Sequence, residues 1–313
     1  MKRIGFALAL VLAAAGCGKL KEAAGKSGVD TQKIETAEKA AKVVKKIGSL
    51  TEEVTAEQEY YVGRSVATNI LAKHEYKYLD KDALAEGKLA GVTAYVNNVG
   101  QLLASAALET RKKGDRPAPV AGWRFVVVES DLINAFASPG GYVFVTTASL
   151  KAAKSEDELA GILAHEIAHV QRGHALGNIK QSRYAGVGSD ALQAAGTATL
   201  SPQQVEQLNG LMEGIIDDTM EAIFVKGYSR DTEFDADALA VDILVAAGYS
   251  PGGLVTFLET LAKSQETGSG GVFATHPKAT DRIEKVKAAA GAASKPPKVR
   301  SERFVAATKS LRK

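Results

Sequence analysis

Two histidines and a glutamate stand close together near the middle of the chain, in the pattern His-Glu-x-x-His at residues 165–169. In a helix, His165 and His169 project from the same face, one turn apart. Two imidazoles in this arrangement suit one zinc ion, and Glu166, rotated by about 100° around the helix, could deprotonate a water molecule beside it. The pattern therefore predicts a site for metal-assisted hydrolysis with one zinc ion per chain, and the alternative is a chance match.

The surrounding residues argue against chance, because they predict a helix. Ser155 and Glu158 form a capping box, and an apolar stripe follows it at positions 159, 162 and 163. We expect this helix to continue to about residue 176. His174, five residues after His169, would then lie about 140° away around the same helix, so we expect it to be structural or solvent-facing and not a ligand of the same metal.

A second acidic pattern occurs on the helix predicted after Ser229. Glu233 and Asp237 are four residues apart, so they share one face of that helix. Two carboxylates at this spacing repel each other mildly unless a positive charge lies nearby, and a zinc ion would supply one. A solvated acidic face is an equally ordinary explanation, and the spacing alone does not separate the two.

Strands are predicted before the histidine helix. Residues 123–129 are rich in β-branched and aromatic side chains, and residues 134–146 predict a hairpin with its turn at 138–141 and a returning strand at 142–146. The hairpin is either plain sheet structure or one wall of the cleft, where a peptide could add as a further strand. Asn134, Gly141, Tyr142 and Val143 are the candidate residues of this peptide-binding edge.

The N-terminus has the pattern of a bacterial lipoprotein signal. Lys2 and Arg3 precede a short apolar run, and small residues lead into Cys17. We expect a signal peptide at 1–16, a lipidated Cys17 at the start of a flexible tether at 17–49, a folded domain at 50–292 and a basic, solvated C-terminal tail at 293–313. The alternative for the leader is an ordinary secretory signal with an incidental cysteine.

Composition limits the classes of function. The chain of 313 residues carries 39 basic and 36 acidic residues, so no strong positive field recommends nucleic acid as a partner. Cys17 is the only cysteine, which excludes a disulfide within the chain. After the leader, no apolar run reaches the length needed to cross a bilayer, so we expect attachment to the membrane through the lipid alone.

Four motifs together resemble a known family. They are the segment Asn-Ala-Phe-Ala-Ser-Pro-Gly-Gly-Tyr-Val-Phe-Val from residue 134, the His-Glu-Ile-Ala-His helix, Ser-Arg-x-x-Glu-x-x-x-Asp from residue 229, and Thr-His-Pro at 275–277 with Arg282. In this order they are similar to the HtpX and CAAX-prenyl-protease family of zinc metallopeptidases, in its periplasmic BepA- and LoiP-like branch. The resemblance implies an α+β fold, mostly helical, of the zincin type, with a small sheet beside the histidine helix.

The resemblance also implies roles for individual residues. His165, His169 and Glu233 would bind the zinc ion, and Glu166 would be the catalytic base. Asp237 would orient a ligand histidine, most simply His165, by accepting its other N–H.

Two further residues are expected close to the zinc ion. His276 would be either a switchable fourth ligand or a group that stabilises the oxyanion. Arg282 would bind a carboxylate or the substrate carbonyl.

The function implied by the resemblance is hydrolysis of peptide bonds in misfolded or stalled envelope proteins. The protein would face the periplasm from the inner leaflet of the outer membrane, since Gly18 rather than aspartate follows Cys17. Outer-membrane assembly machinery would be a partner, although no helical-repeat array follows the motifs. The alternative is an assembly factor or holdase without proteolysis, whose zinc site is plugged by His276.

Overall fold

The computed structural model describes residues 56–72, 77–78, 90–177, 214, 217, 219–221, 223, 227–266, 276, 279–291 and 296–312. Apart from Gly214, they belong to one compact unit formed by Thr55–Ser182 and Ile215–Lys313. The predicted signal, lipidation site and tether, and the start of the predicted domain at residue 50, lie outside the described residues. In the part of the chain that is described, no helix is both long enough and apolar enough to cross a membrane.

Helices dominate the described residues, as the α+β, mostly helical prediction requires. In chain order they are α1 Ala56–Ala72, α2 Ala90–Glu109, α3 Thr147–Ala152, α4 Glu156–Arg172, α5 Arg230–Ala246, α6 Gly252–Glu266, α7 Ala279–Ala290 and α8 Lys298–Ala307, followed by a 3₁₀ turn at Lys309–Arg312.

In the described part of the chain the sheet has four strands: β1 Lys77–Tyr78, β2 Arg124–Glu129, β3 Ala135–Ser138 and β4 Tyr142–Thr146, in the spatial order β1-β2-β4-β3. β3 and β4 form the predicted antiparallel hairpin, and Gly140 and Gly141 make its turn at φ values of 75° and 89° that disfavour other residues. β4 also pairs in parallel with β2, so it is an inner strand. The free edge of the sheet beside β4 therefore belongs to β3.

This topology corrects the expected peptide-binding edge. Tyr142 and Val143 pair with β2 on one side and β3 on the other, and the Gly141 carbonyl accepts a hydrogen bond from the Arg124 amide. Gly141, Tyr142 and Val143 therefore offer no free main-chain edge to a peptide, because β2 already pairs with them. Of the four candidates, only Asn134 adjoins β3, the edge strand of the described sheet.

Helix α4, which carries the His-Glu-x-x-His pattern, runs through the core. Its N-cap Ser155 accepts a hydrogen bond from the Glu158 amide, and every residue from Glu156 to Gln171 is buried. α5, α6 and α2 pack around it, together with β3. At Gly161, an added Cβ would lie 2.8 Å from the Leu254 backbone, so α4 and α6 meet at main-chain distance. Packing on all sides fixes the direction of the side chains that α4 presents.

The end of the chain differs from the expected solvated tail. Residues 298–307 form α8, which packs against α4 and α2 and buries Phe304 completely. The guanidinium of Arg303 binds the carboxylate of Glu156 at the start of α4, and that of Arg300 lies 2.9 Å from Asp157. Two basic residues of this segment, Arg300 and Arg303, are thus partners of buried acids at the beginning of the histidine helix.

Candidate metal centre

Helix α4 brings the two histidines of the motif together as its periodicity predicts. His165 and His169 lie one turn apart, with 5% and 2% of their surface exposed. Their Nε2 atoms are only 3.0 Å from each other. Two imidazoles that face each other through these nitrogens, inside the protein, form one half of a site for a cation.

Helix α5 supplies the other half. Its N-cap Ser229 accepts a hydrogen bond from the Thr232 amide, which starts the helix so that Glu233 falls in the first turn. Glu233 is fully buried, with Oε2 3.5 Å from His165 Nε2 and Oε1 3.4 Å from His169 Nε2. Asp237 is 2% exposed. The acidic face of α5 is therefore not a solvated one at these positions.

The distances between these donor atoms can be compared with what a zinc ion requires. With bonds of 2.0–2.2 Å, two ligands of a tetrahedral zinc ion stand about 3.3–3.5 Å apart. Glu233 lies 3.5 Å from His165 and 3.4 Å from His169, which agrees with that value, and the two histidines, at 3.0 Å, are about 0.3 Å closer to each other. Two histidines and one carboxylate are also a donor set that zinc prefers, so the residues present fit this ion.

His276 belongs to the same group of atoms. One ligand atom each of His165, His169, Glu233 and His276 can be chosen so that all four lie within 4.8 Å of one another. The Nδ1 atom of His276 is 2.7 Å from Glu233 Oε1, and the residue is buried. The arrangement brings His276 to the metal centre and is compatible with either role expected for it.

Asp237 and Arg282 form a buried ion pair behind His165. The Asp237 Oδ1 atom lies 2.9 Å from His165 Nδ1, and the Arg282 guanidinium donates to both oxygens of Asp237, at 2.7 and 2.6 Å. Arg282 Nη1 is 2.8 Å from Glu233 Oε2. Of the two expectations for Arg282, its contacts agree with the binding of a carboxylate, because the carboxylates of Asp237 and Glu233 hold its guanidinium.

Charges in this group shift one another's protonation. Burial alone would raise the pKa of Glu233, yet its neighbours His276 and Arg282 hold that pKa well below its usual range. Burial likewise opposes the ionisation of Asp237, but Arg282 lowers its pKa to about 2. Burial and Arg282 favour the neutral form of His165, whereas Asp237 and Glu233 outweigh them and raise its pKa to about 9. The carboxylates of Glu233 and Asp237 are thus ionised at neutral pH, as the binding of a cation requires.

Glu166 stands at the edge of this group, 3% exposed. Burial raises the pKa of its carboxyl, and the Glu233 carboxylate adds to the rise, while His276 and His165 oppose it. A carboxylate with a raised pKa is a stronger base than an ordinary glutamate. Glu166 also lines a pocket next to the donor atoms, where a reactant could reach it.

Two pockets lie along β3, one on each side of the histidines. The first is mostly apolar and is lined by Ala135, Ile162, His165, Glu166, Leu254, Phe257, Leu258, Leu261, His276 and Arg282. The second is lined by Glu59, Ala137, Ser138, Pro139, His169, Val170, Gly173, Ala175, Leu176 and Tyr228. Asn134 precedes β3, is 1% exposed, and has no hydrogen-bond partner for its side-chain amide among the described residues.

Two neighbours of His169 were not found from the sequence. Tyr228 stacks on the His169 ring, with 4.2 Å between ring centroids and 20° between planes. His174 Nδ1 lies 2.9 Å from His169 Nδ1. The helical-angle argument for His174 assumed that α4 continues past residue 172. Instead Gly173, at φ 69°, ends the helix in a left-handed conformation, and the chain turns back toward His169. A glycine at this position is the sequence signal that could have revealed it.

Comparisons with known proteins agree with this geometry. The profile of peptidase family M48 matches residues 94–290. The metalloprotease YcaL of Escherichia coli is 33% identical over 162 residues, which are 52% of this chain and 59% of YcaL. The beta-barrel assembly-enhancing protease of Escherichia coli is 26% identical over 194 residues, 61% of this chain and 37% of that protein. The mitochondrial metalloendopeptidase OMA1 of Arabidopsis thaliana is 28% identical over 190 residues, 58% of this chain and 36% of OMA1. The chain thus spans less than two thirds of the length of these relatives.

Proposed function

The chain belongs to peptidase family M48, and from that premise we propose that it is a zinc metalloendopeptidase of the bacterial cell envelope. The observation that carries the proposal is the buried cluster of His165, His169 and Glu233, whose donor atoms have the spacing of zinc ligands. Names of relatives that describe metalloproteases support the same activity.

In this proposal His165, His169 and Glu233 hold the zinc ion and Asp237 orients His165. When bound, zinc supplies a Lewis acid that polarises the scissile carbonyl and makes water a nucleophile at neutral pH. Glu166 takes a proton from the attacking water and delivers it to the nitrogen of the leaving amine. Arg282 acts on the ligands, because its ion pairs keep Asp237 and Glu233 ionised and in place.

The substrate binds as an extended strand along β3. Since β3 is the edge of the described sheet, a peptide can continue the sheet there through main-chain hydrogen bonds, as peptides do at other open edges. A peptide antiparallel to β3 runs from the Ser138 end toward the Ala135 end. Its residues before the cleaved bond then lie near the second pocket, and those after it near the apolar first pocket.

The natural substrates in this proposal are unfolded or misfolded envelope proteins, which can offer an extended strand. Lipidation of Cys17 would attach the enzyme to the inner leaflet of the outer membrane, with residues 17–49 as the tether. The name of the beta-barrel assembly-enhancing relative makes outer-membrane assembly machinery the first partner to test. Metabolic labelling with a palmitate analogue, with Cys17→Ala as the control, tests the lipid anchor.

Glu166→Gln tests the catalytic proposal. The substitution keeps the size of the side chain and removes its basicity, so we expect about one zinc per chain and a loss of roughly 10²-fold to 10⁴-fold in casein cleavage. Elemental analysis and a cleavage assay on the same purified samples measure both quantities. Undiminished cleavage by this variant would refute the role of Glu166.

One observation favours a second candidate function, an assembly factor or holdase whose zinc site is closed. His276 lies among the presumptive ligands, 2.7 Å from Glu233, where it can complete four protein ligands and exclude water. If it does so in the resting protein, His276→Ala should retain zinc and cleave casein several times faster than the unmodified protein. A slower His276→Ala enzyme would instead indicate that His276 stabilises the oxyanion, and unchanged cleavage would contradict both roles.

A further inference from the structure

We propose that His174 and Asp235 form a relay that fixes the proton position and ring orientation of His169, and that the affinity of the site for zinc depends on this relay. The inference rests on the proposed metal site and assigns to it two residues that the four motifs do not include. Both act through His169, so they are positioning residues.

The relay is a continuous line of contacts that leads away from the metal centre. His169 Nδ1, on the side of the ring opposite the donor atom Nε2, lies 2.9 Å from His174 Nδ1. His174 Nε2 lies 3.3 Å from Asp235 Oδ2. The side chains of His169, His174 and Asp235 are 2%, 13% and 44% exposed, so the line runs from the interior to the surface.

The chemistry of imidazole dictates the direction of each hydrogen bond. If His169 binds zinc through Nε2, its remaining proton must be on Nδ1, because a neutral imidazole has one donor and one acceptor nitrogen. His174 Nδ1 must then accept a hydrogen bond from the His169 Nδ1–H group, which puts the proton of His174 on Nε2. That nitrogen donates to Asp235, which accepts as a carboxylate. Each group in the line has one compatible role.

Each of the two ligand histidines would therefore be oriented by a carboxylate, one of them directly and the other through a second histidine. His165 Nδ1 contacts Asp237 directly, at 2.9 Å, whereas His169 reaches its carboxylate through His174. Partners of this kind fix the tautomer of a ligand histidine and increase its basicity. Because both ligands meet one ion, an error in either ring would weaken the whole site.

The outer end of the relay is anchored. Arg172 Nε lies 2.9 Å from Asp235 Oδ2, and the guanidinium of Arg172 also binds the Asp115 carboxylate. The Gln171 side chain donates to Asp115 at 2.9 Å. Asp235 thus forms an ion pair with the last residue of α4, the helix that carries His169.

Zinc affinity of the metal-free full chain, measured by competition with a chromophoric chelator, tests the relay. We expect His174→Leu, which cannot accept the proton of His169, to bind zinc about 10-fold to 100-fold more weakly. His174→Asn should stay within a few-fold of the unmodified protein, since its side-chain oxygen can occupy the position of Nδ1. Rescue by asparagine separates a hydrogen-bonding role from a packing role.

Substitution of Asp235 gives an independent test. Because this side chain is 44% exposed, we expect its variants to fold normally. Asp235→Ala should weaken zinc binding several-fold and Asp235→Asn, which keeps an acceptor oxygen, should weaken it less. Asp242→Ala is the matched control, because Asp242 is an exposed acid on the same helix whose partner is the surface residue Lys112.

The outcomes separate this inference from the function on which it rests. Equal zinc affinities of the unmodified protein, His174→Leu and Asp235→Ala would overturn the relay alone. Equal losses in His174→Leu and His174→Asn would also overturn it, because packing would then explain the effect. A failure of the unmodified protein to bind zinc would overturn the metal site itself.

Discussion

Arg282 binds two carboxylates of the candidate metal site at once. Its guanidinium, 4% exposed, contacts Asp237 with two nitrogens and Glu233 with the third. A planar guanidinium can satisfy two carboxylates in this way, and a lysine could not reproduce the fork. The sequence marks Arg282 as part of the site but does not reveal its partners, because they lie 45 and 49 residues away on another helix.

Asp237 provides a prediction about pH. Its pKa of about 2 in the folded protein lies below the usual 3.8, so the group stabilises the fold fully above pH 4 and loses that contribution as the pH falls toward 2. The difference corresponds to about 2 kcal/mol, about half of it lost by pH 3. We expect Asp237→Asn to lack this part of the pH dependence of the metal-free protein. Urea unfolding at a series of pH values measures it, with Asp242→Asn as the control, and parallel curves would contradict the prediction.

The spacing rules work well at the residues where one helix does the positioning. Periodicity predicts that His165 and His169 share one helix face and that Glu233 and Asp237 share another. The structure has the first pair on α4 and the second on α5. At His174 the helical angle does not apply, because left-handed Gly173 interrupts the helix on which it was calculated, yet His174 still lies outside the group of possible ligands, as expected. Stacking of Tyr228 on His169 has no local sequence signal at all.

Among the elements, α8 fastens the beginning of the histidine helix. Glu156 and Asp157 are almost completely buried, and Arg303 and Arg300 of α8 bind them. The hydroxyls of Tyr95 and Tyr249 donate to Glu156 at 2.7 and 2.9 Å. Composition suggested a solvated tail, since the acids that pair with these arginines are more than 140 residues away in the chain.

Arg303→Ala tests this contact between α8 and α4. Removal of one partner leaves the buried Glu156 carboxylate with fewer donors, so we expect the free energy of unfolding to fall by about 1–3 kcal/mol. Lys298→Ala, which breaks an exposed pair with Glu302 on the same helix, should change it by less than about 1 kcal/mol. Denaturant unfolding of both variants measures the two changes in the free energy of unfolding. Equal changes would show that the Arg303–Glu156 pair stabilises the protein no more than the exposed pair does.

The sheet shows what local patterns can and cannot predict about an element. The turn residues predict the hairpin of β3 and β4 correctly. They carry no information about β2, which pairs with β4 in parallel and leaves β3 at the edge. A strand alternation looks the same in an inner strand and an edge strand when both faces are buried, as they are in β3.

At the scale of the molecule, the centre joins segments that are distant in sequence. α4, α5, α7 and the residue His276 each contribute a side chain to one buried group of charges. Three carboxylates, those of Glu166, Glu233 and Asp237, face one arginine there. A divalent cation would therefore compensate buried negative charge and bind the folded chain in preference to the unfolded one, which couples metal binding to stability.

Removal of zinc tests this coupling. Free zinc at about 1,000 times its dissociation constant stabilises the fold by roughly 4 kcal/mol, which corresponds to about 10 °C in melting temperature for a domain of this size. We expect a chelator to lower the melting temperature by that order, and added zinc to restore it. Glu233→Gln, with a poorer ligand at the centre, should show a smaller difference. A melting temperature that does not respond to chelation would contradict the coupling.

The order of the two pockets along β3 also indicates how an inhibitor of the proposed peptidase activity should be built. A compound that replaces the cleaved bond with a zinc-chelating group, such as a hydroxamate, should have one bulky apolar substituent on the side that corresponds to the residue after that bond. This substituent would meet Ile162, Leu254 and Phe257 in the first pocket. The mirror arrangement, with the substituent before the chelating group, would place it in the second pocket, which is the smaller of the two.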